Sequence, residues 1–131
     1  MISKADLLKI ARGRLKDAEV LLAAGRHDGA IYLGGYVVEI ALKTRICKTL
    51  KWSGFPQTSS EFQNYQSFKT HKLNVLLRLS GVETKIRASY FVEWSSVVVW
   101  DQEMRYNLIG STSQSEAELL IEAAKVLLKA L

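Results

Sequence analysis

One segment constrains the fold of this chain more than any other. Residues 29–50, GAIYLGGYVVEIALKTRICKTL, place apolar side chains on almost every side of a helical projection. This pattern is typical of a helix that is surrounded by other helices. The only proline is Pro56, so proline interrupts no other segment. The sequence therefore predicts a central helix within an all-α fold.

The segment before the central helix predicts a first helix from about Ser3 to Ala24. Ser3 resembles an N-terminal cap with an acid, Asp6, in the first turn, and apolar residues then recur at helical spacing. Gly25 is a suitable stop for this helix, and Asp28 is placed to cap the next one.

The second half of the chain predicts three further helices after a long loop. Residues 51–69 have no clear periodicity, and Thr70 is placed to cap a short helix that Ser80 would end. Another helix is expected to run from there to about Trp100. The run SSVVVW also suits a strand, but no other segment offers it a partner, so the helix is preferred.

The last helix is predicted from a capping box formed by Ser113 and Glu116. Its expected inward residues are Leu119, Leu120, Ala123, Leu127 and Ala130. The chain of 131 residues has the size of one domain and shows no internal repeat. We therefore expect a single domain over residues 1–131, an up-and-down bundle of about five helices.

The composition restricts the cellular location and the kinds of partner that we expect for this protein. A lone cysteine, Cys47, cannot form an internal disulfide and is expected to be a small buried hydrophobe. The N-terminus has no continuous apolar run of the kind that a secretory signal needs, and no stretch approaches the ~20 apolar residues of a membrane span. These features predict a cytoplasmic protein without membrane contact. The net charge of +5 permits anionic partners.

The common catalytic patterns are missing from the sequence. It contains no cysteine pair, no HExxH, no phosphate loop and no GxSxG. We therefore expect no metal and no cofactor. His27 and His71 are the only histidines, which leaves few candidates for general acid-base catalysis.

A polar stripe on the central helix is the first candidate site. Tyr32, Tyr36, Glu39 and Lys43 share one side of an otherwise apolar helix. Glu39 and Lys43 are four residues apart, the spacing of a helical ion pair. The stripe is explained either by a salt bridge within the helix packing or by a ligand or dimer surface.

The segment WDQEMRYN, residues 100–107, is the second candidate site. An arginine beside aromatic residues, here Arg105 and Tyr106, can bind phosphate and stack a base. Arg105 paired with Glu103 and buried aromatics would explain the segment equally well. On the first helix, the basic stripe of Lys9, Arg12 and Lys16 fits a solvated face or an anion-binding surface.

Three stretches in the same order resemble the HEPN family of nucleotide-binding domains. They are LKDAEVLLAAGRHDGAIYLGGYVVEIALKTRIC at residues 15–47, THKLNVLLRLSG at residues 70–81 and WDQEMRYN. The resemblance implies a helical bundle that usually dimerises, found alone or beside a minimal nucleotidyltransferase in toxin-antitoxin-like pairs. Many HEPN proteins are metal-independent ribonucleases, in which a histidine follows an arginine by four to six residues. Arg105 matches the arginine, but no histidine follows it in this sequence.

These observations predict a non-catalytic HEPN-like module that binds a nucleotide or RNA phosphate. The residues expected to take part are Arg105, Tyr106, Asn107, Glu39, Lys43 and His71. A homodimer and a nucleotidyltransferase partner are the protein contacts that the resemblance implies. The alternatives are a degenerate ribonuclease, with Arg105 on the phosphate and His71 transferring protons, and a module that binds only other proteins.

Overall fold

The computed structural model describes all residues 1–131 and shows a bundle of six α-helices with one minimal sheet. The helices are α1 (Lys4–Ala23), α2 (His27–Leu50), α3 (Leu73–Leu79), α4 (Glu83–Ser89), α5 (Phe91–Val97) and α6 (Gln114–Ala130). Short 3₁₀ turns cover Gln66–Phe68 and Gln102–Tyr106. Two strands, β1 (Ile2–Ser3) and β2 (Gly54–Phe55), pair antiparallel. The prediction of an all-α fold is confirmed.

Helix α2 occupies the centre of the bundle, as its all-round apolar pattern predicted. It packs against α1, α3 and α6 and buries residues on nearly all of its faces, Val37, Leu42 and Ile46 among them. Cys47 is fully buried there, and burial raises the pKa of its thiol. The interpretation of Cys47 as a packing residue is therefore confirmed.

The ends of α1 and α6 follow the sequence signals. The hydroxyl of Ser3 accepts a hydrogen bond from the backbone N–H of Asp6 at 3.1 Å. Gly25 follows α1 with φ of 75°, a left-handed conformation that costs glycine little. The hydroxyl of Ser113 accepts from the N–H of Glu116 at 3.1 Å, and the Glu116 carboxylate accepts from the N–H of Ser113 at 3.4 Å. The predicted capping box is therefore present.

The expected fourth helix, running to about Trp100, is wrong in its continuity. The chain leaves helical geometry at Tyr90, where φ is −130° and ψ is 35°, so α4 and α5 are separate and the helices number six rather than five. Ile86 before the division and Trp94 after it are both buried in the core. The run SSVVVW, residues 95–100, forms no strand, because its first three residues are the end of helix α5.

Two smaller predictions are also wrong. Thr70 does not cap α3, because α3 begins at Leu73 and the Thr70 hydroxyl accepts instead from the N–H of Lys72 at 3.1 Å. Leu119 does not face inward: it is 64% exposed, whereas Leu120 beside it is buried. The buried stripe of α6 therefore lies about 100° around the helix from Leu119.

The loop after α2 is packed rather than open. Strand β2 holds Phe55 against the core, and Phe55 and Phe62 are both buried. The ring of Trp52 contacts Tyr65 edge-on and Phe68 at a tilt, with ring centroids 5.0 and 5.1 Å away. Most of the aromatic side chains of this loop therefore stabilise the fold.

None of the helices is long and apolar enough to cross a membrane.

Candidate functional site

The candidate site is built on the polar stripe predicted on the central helix, α2. We call its residues, Tyr32, Tyr36, Glu39 and Lys43, the polar strip. Its four residues follow one another at helical spacing along α2. The hydroxyls of Tyr32 and Tyr36 lie 3.5 Å apart, at the limit of a hydrogen bond. Lys43 Nζ donates to Glu39 Oε2 at 3.1 Å. The predicted ion pair is therefore confirmed.

Glu39 is the most deeply buried charged group of the strip. Glu39 is only 3% exposed, and its carboxylate contacts two basic side chains. The imidazole Nδ1 of His71 lies 3.0 and 3.1 Å from its two oxygens, and Lys43 completes the cluster. A carboxylate taken out of water needs such partners. The structure thus brings together Glu39, Lys43 and His71, three of the six residues predicted from sequence.

His71 is held at one nitrogen and open at the other. Its Nδ1 faces Glu39, while the side chain is 48% exposed. With Nδ1–H donating to the carboxylate, the lone pair of Nε2 in the neutral ring is directed away from Glu39. The arrangement orients the imidazole to accept a proton, or to donate one once it is protonated.

Tyr36 connects this cluster to the rest of the site. Its ring contacts His71 and Trp100 edge-on, with centroids 6.5 and 4.9 Å away. Burial, and then the contact with Tyr32, raises the pKa of the Tyr36 phenol to about 12. Its hydroxyl therefore stays protonated at neutral pH and is available for hydrogen bonding.

Arg105 lies at the other end of the strip. Its guanidinium stacks over the ring of Tyr106, 4.7 Å from the centroid, and approaches Glu103 at 3.7 Å. The contact with Tyr106 first, and then Glu103 and Tyr32, raises the pKa of Arg105. The alternative of a Glu103 pair is therefore correct, but Tyr106 is not buried, because 72% of it is exposed.

A cleft of about 480 Å³ separates the start of α2 from the segment around Arg105. Arg26, His27 and Tyr32 line one side of it, and Arg105 lines the other. Arg26, directly before α2, and His27, its first residue, were not among the predicted site residues. Their place at the start of α2, next to the polar strip, was the signal that sequence reasoning overlooked.

Asp28 closes one edge of this cleft instead of capping α2. The helix begins after Arg26, which provides no side-chain cap. The Asp28 carboxylate accepts from the N–H groups of Gly110 and Thr112 at 2.6 and 3.0 Å. These hydrogen bonds, with Gly110 contributing most, lower the pKa of Asp28. The predicted cap is thus wrong, and Asp28 fastens the segment that follows Arg105.

The other predicted residues differ in their placement. Tyr106 touches Arg105 but lies largely in solvent, and Asn107 is exposed and lines none of the clefts described here. At the opposite end of the strip, Lys43 and His71 line a second cleft of about 350 Å³ below the loop that carries Phe55. The strip therefore joins two clefts, one at Arg105 and one at His71.

No group of three or more histidine, cysteine, aspartate or glutamate side chains is arranged to hold a metal ion.

Comparison with models of known families, with curated proteins and with solved structures gave no match to this chain. The geometry and the sequence pattern are therefore the grounds for a functional proposal.

Proposed function

We propose that the chain is a HEPN-like module that binds a nucleotide or RNA phosphate along the polar strip of α2. The observation that carries this proposal is the cleft at the start of α2, where Arg105 faces Arg26, His27 and Tyr32. The resemblance of three ordered stretches to HEPN domains supports the same function.

The chemistry of the Arg105 cleft suits a phosphate group. A guanidinium offers paired N–H donors that match phosphate oxygens, and Arg105 is 38% exposed as a side chain. The start of a 24-residue helix contributes a partial positive charge on the same side. The exposed ring of Tyr106 adds a surface on which a base can stack. The proposed contacts are thus phosphate with Arg105 and base with Tyr106.

The cleft at His71 provides a second polar end. Lys43 and His71 are both tied to Glu39, which fixes their positions while leaving His71 half exposed. A phosphate or ribose hydroxyl placed there would contact His71 Nε2. In this proposal, Lys43 and His71 extend the binding surface beyond Arg105.

We propose that binding occurs without catalysis, because no histidine follows Arg105. The second candidate function is a degenerate ribonuclease, favoured by one observation: the Glu39–His71 contact, which orients an imidazole as in many acid-base pairs. In that case His71 would take the proton of a ribose 2′-hydroxyl, and Arg105 would stabilise charge on the phosphate.

The proposed protein partners are a second copy of the chain and a minimal nucleotidyltransferase, with a cytoplasmic location. The exposed apolar residues that follow Arg105 support a protein contact: Leu108 is 84% and Ile109 is 87% exposed. A module that binds only proteins would use the same residues but would not need the cations of the cleft.

The test is thermal unfolding of the wild type and Arg105→Ala with ATP, GTP or a short RNA at low salt. A ligand at ten times its dissociation constant adds about 1.4 kcal/mol and raises the midpoint by a few degrees. We expect this shift in the wild type and its loss in Arg105→Ala. Arg87→Ala, which removes another surface arginine paired with a glutamate, is the matched control and should keep the shift. The absence of any shift in the wild type would contradict the proposal.

Cleavage of a labelled RNA in the presence of EDTA separates the two candidate functions. Binding without cleavage supports the leading proposal. Cleavage that is lost in His71→Ala, with an unchanged circular dichroism spectrum, would replace it with the ribonuclease.

A further inference from the structure

A groove between α1 and α6 is lined by two kinds of side chain only. The leucines are Leu8, Leu15, Leu128 and Leu131, and the cations are Arg12, Lys48, Lys125 and Lys129. Its volume is about 520 Å³. It shares no lining residue with the clefts at Arg105 and His71, so an inference about it stands apart from the proposed function.

The cations of this groove have little internal compensation. Arg12 and Lys129 are exposed and form no ion pair. Lys125 approaches Glu19 only at 3.9 Å, with both side chains 44% exposed. Lys48 donates to a main-chain oxygen of Leu131 at 3.1 Å. The four basic side chains thus face a single acidic side chain, the distant Glu19, which favours an acidic occupant.

Three of the four leucines of the groove are only partly covered by the chain itself. Leu8, Leu15 and Leu128 are half-buried, and Leu15 and Leu128 also pack against the core. Helices α1 and α6 both pack more extensively against α2 than against each other, which leaves a channel between them. Leu8 and Leu15 are seven residues apart on α1, so they lie two turns apart on the same face, along this channel.

We propose that this groove binds an acidic, amphipathic helix of a partner protein. The leucines would receive the apolar anchors of that helix, spaced at i, i+3 or i+4 and i+7, and the four cations would pair with its flanking carboxylates. A nucleic acid is a poorer occupant, because the groove contains no aromatic side chain on which a base can stack. A lipid surface is a poorer occupant, because the leucines lie in a channel between helices rather than on a projecting face.

The experiment measures fluorescence anisotropy of labelled peptides of about 14 residues, or four helical turns, added to the full chain. Three amphipathic peptides combine leucine anchors with glutamates at different flanking positions, and each has a scrambled version of equal charge. We expect at least one amphipathic peptide to bind about tenfold more tightly than its scrambled version, and more weakly at higher salt. Equal binding of both versions, or no binding by any peptide, would overturn the proposal.

Charge reversal locates the binding surface. Arg12→Glu combined with Lys129→Glu should weaken binding about tenfold, because both residues flank the groove. Lys9→Glu combined with Lys85→Glu makes the same change in net charge at exposed, unpaired residues outside it and should change affinity by less than about threefold. Circular dichroism verifies that each variant is folded.

The same variants test the other occupants. Phosphatidylglycerol vesicles and a short RNA are added under the same conditions. If either binds and loses affinity in the Arg12 and Lys129 double variant while no peptide does, the groove is a lipid or nucleic-acid surface and the proposal is wrong. A peptide response that is equal in the two double variants would also overturn it, because binding would then reflect net charge alone.

Discussion

The two ends of the polar strip hold their charged groups in different ways. At the Glu39 end, a buried carboxylate contacts Lys43, which is largely buried, and His71, whose side chain is half exposed. At the other end, Arg105 lies on a short 3₁₀ turn with one long contact to Glu103 and an exposed neighbour, Tyr106. The difference indicates that the Glu39 end supports the fold while it orients His71, whereas the turn that carries Arg105 buries no residue.

The largest expected effect belongs to Glu39. Glu39→Ala leaves Lys43 and His71 without their shared partner, and breaking a buried ion pair on one side typically costs about 3 kcal/mol. Urea unfolding should show a loss of that size. Glu39→Gln keeps the shape and one hydrogen-bond acceptor, so it should lose roughly half as much. A Glu39→Ala protein as stable as the wild type would remove the contrast between the two ends.

A substitution at Gly35 tests how Trp100 attaches the Arg105 end of the strip to α2. A Cβ at this position would lie 2.1 Å from ring atoms of Trp100, the residue whose Nε1 donates to the carbonyl of Tyr32 at 3.2 Å. We expect Gly35→Ala to displace the indole and cost about 2 kcal/mol in urea unfolding.

Gly13→Ala is the control for Gly35→Ala. A Cβ at Gly13 meets no atom within 4 Å, so the exposed helix should gain up to about 1 kcal/mol from the higher helix propensity of alanine. Equal effects of the two substitutions would show that Trp100 does not fasten the segment to α2.

The middle of the strip can be followed by tyrosine titration. The pKa of Tyr36 is about 12, above the ordinary value of 10.0, so the folded chain retains a proton that the unfolded chain releases. Stability should therefore fall as pH rises from about 10 to 12. Absorbance of tyrosinate should show one late-titrating group that disappears in Tyr36→Phe. Titration of all five tyrosines near pH 10 would contradict the burial of this hydroxyl.

The smallest effect is expected at Asp28. Asp28→Ala removes the acceptor for the N–H groups of Gly110 and Thr112, so hydrogen exchange at these amides should accelerate while the rest of the bundle is unchanged. Because the pKa of Asp28 is lowered, the wild type should keep this protection at pH 4, where a free aspartate is about half protonated, and lose it only as pH falls further. Equal protection in both proteins would show that Asp28 does not hold this segment.

The sequence was sufficient for the central helix and for the Glu39–Lys43 pair, because both depend on spacing within one helix. It was insufficient for the Glu39–His71 contact, whose partners are 32 residues apart. The break at Tyr90 was missed because Ile86 and Trp94 also fit a continuous helical stripe. The pair of β1 and β2 was missed because two residues per strand give no alternation to detect.

The candidate site was predicted in its parts but not in its arrangement. Six residues were singled out by their chemistry and by the HEPN resemblance, and three of them meet at Glu39. The approach of Arg105 to Arg26 and His27 depends on how the segment after Trp100 folds back along α2. Asn107 was selected for its place beside Arg105 in the sequence, which carries no information on the direction of its side chain.

The packing of Trp100 against Gly35 of α2 restricts which substitutions this sequence can accept during evolution. Any side chain at position 35 would overlap the indole, and a smaller residue at position 100 would give up both core packing and the bond to Tyr32. Each single substitution therefore passes through a destabilised intermediate. Descendants of this sequence are expected to retain glycine with tryptophan or to replace both together. Covariation of positions 35 and 100 would then identify the same architecture in chains whose surfaces have lost all visible likeness.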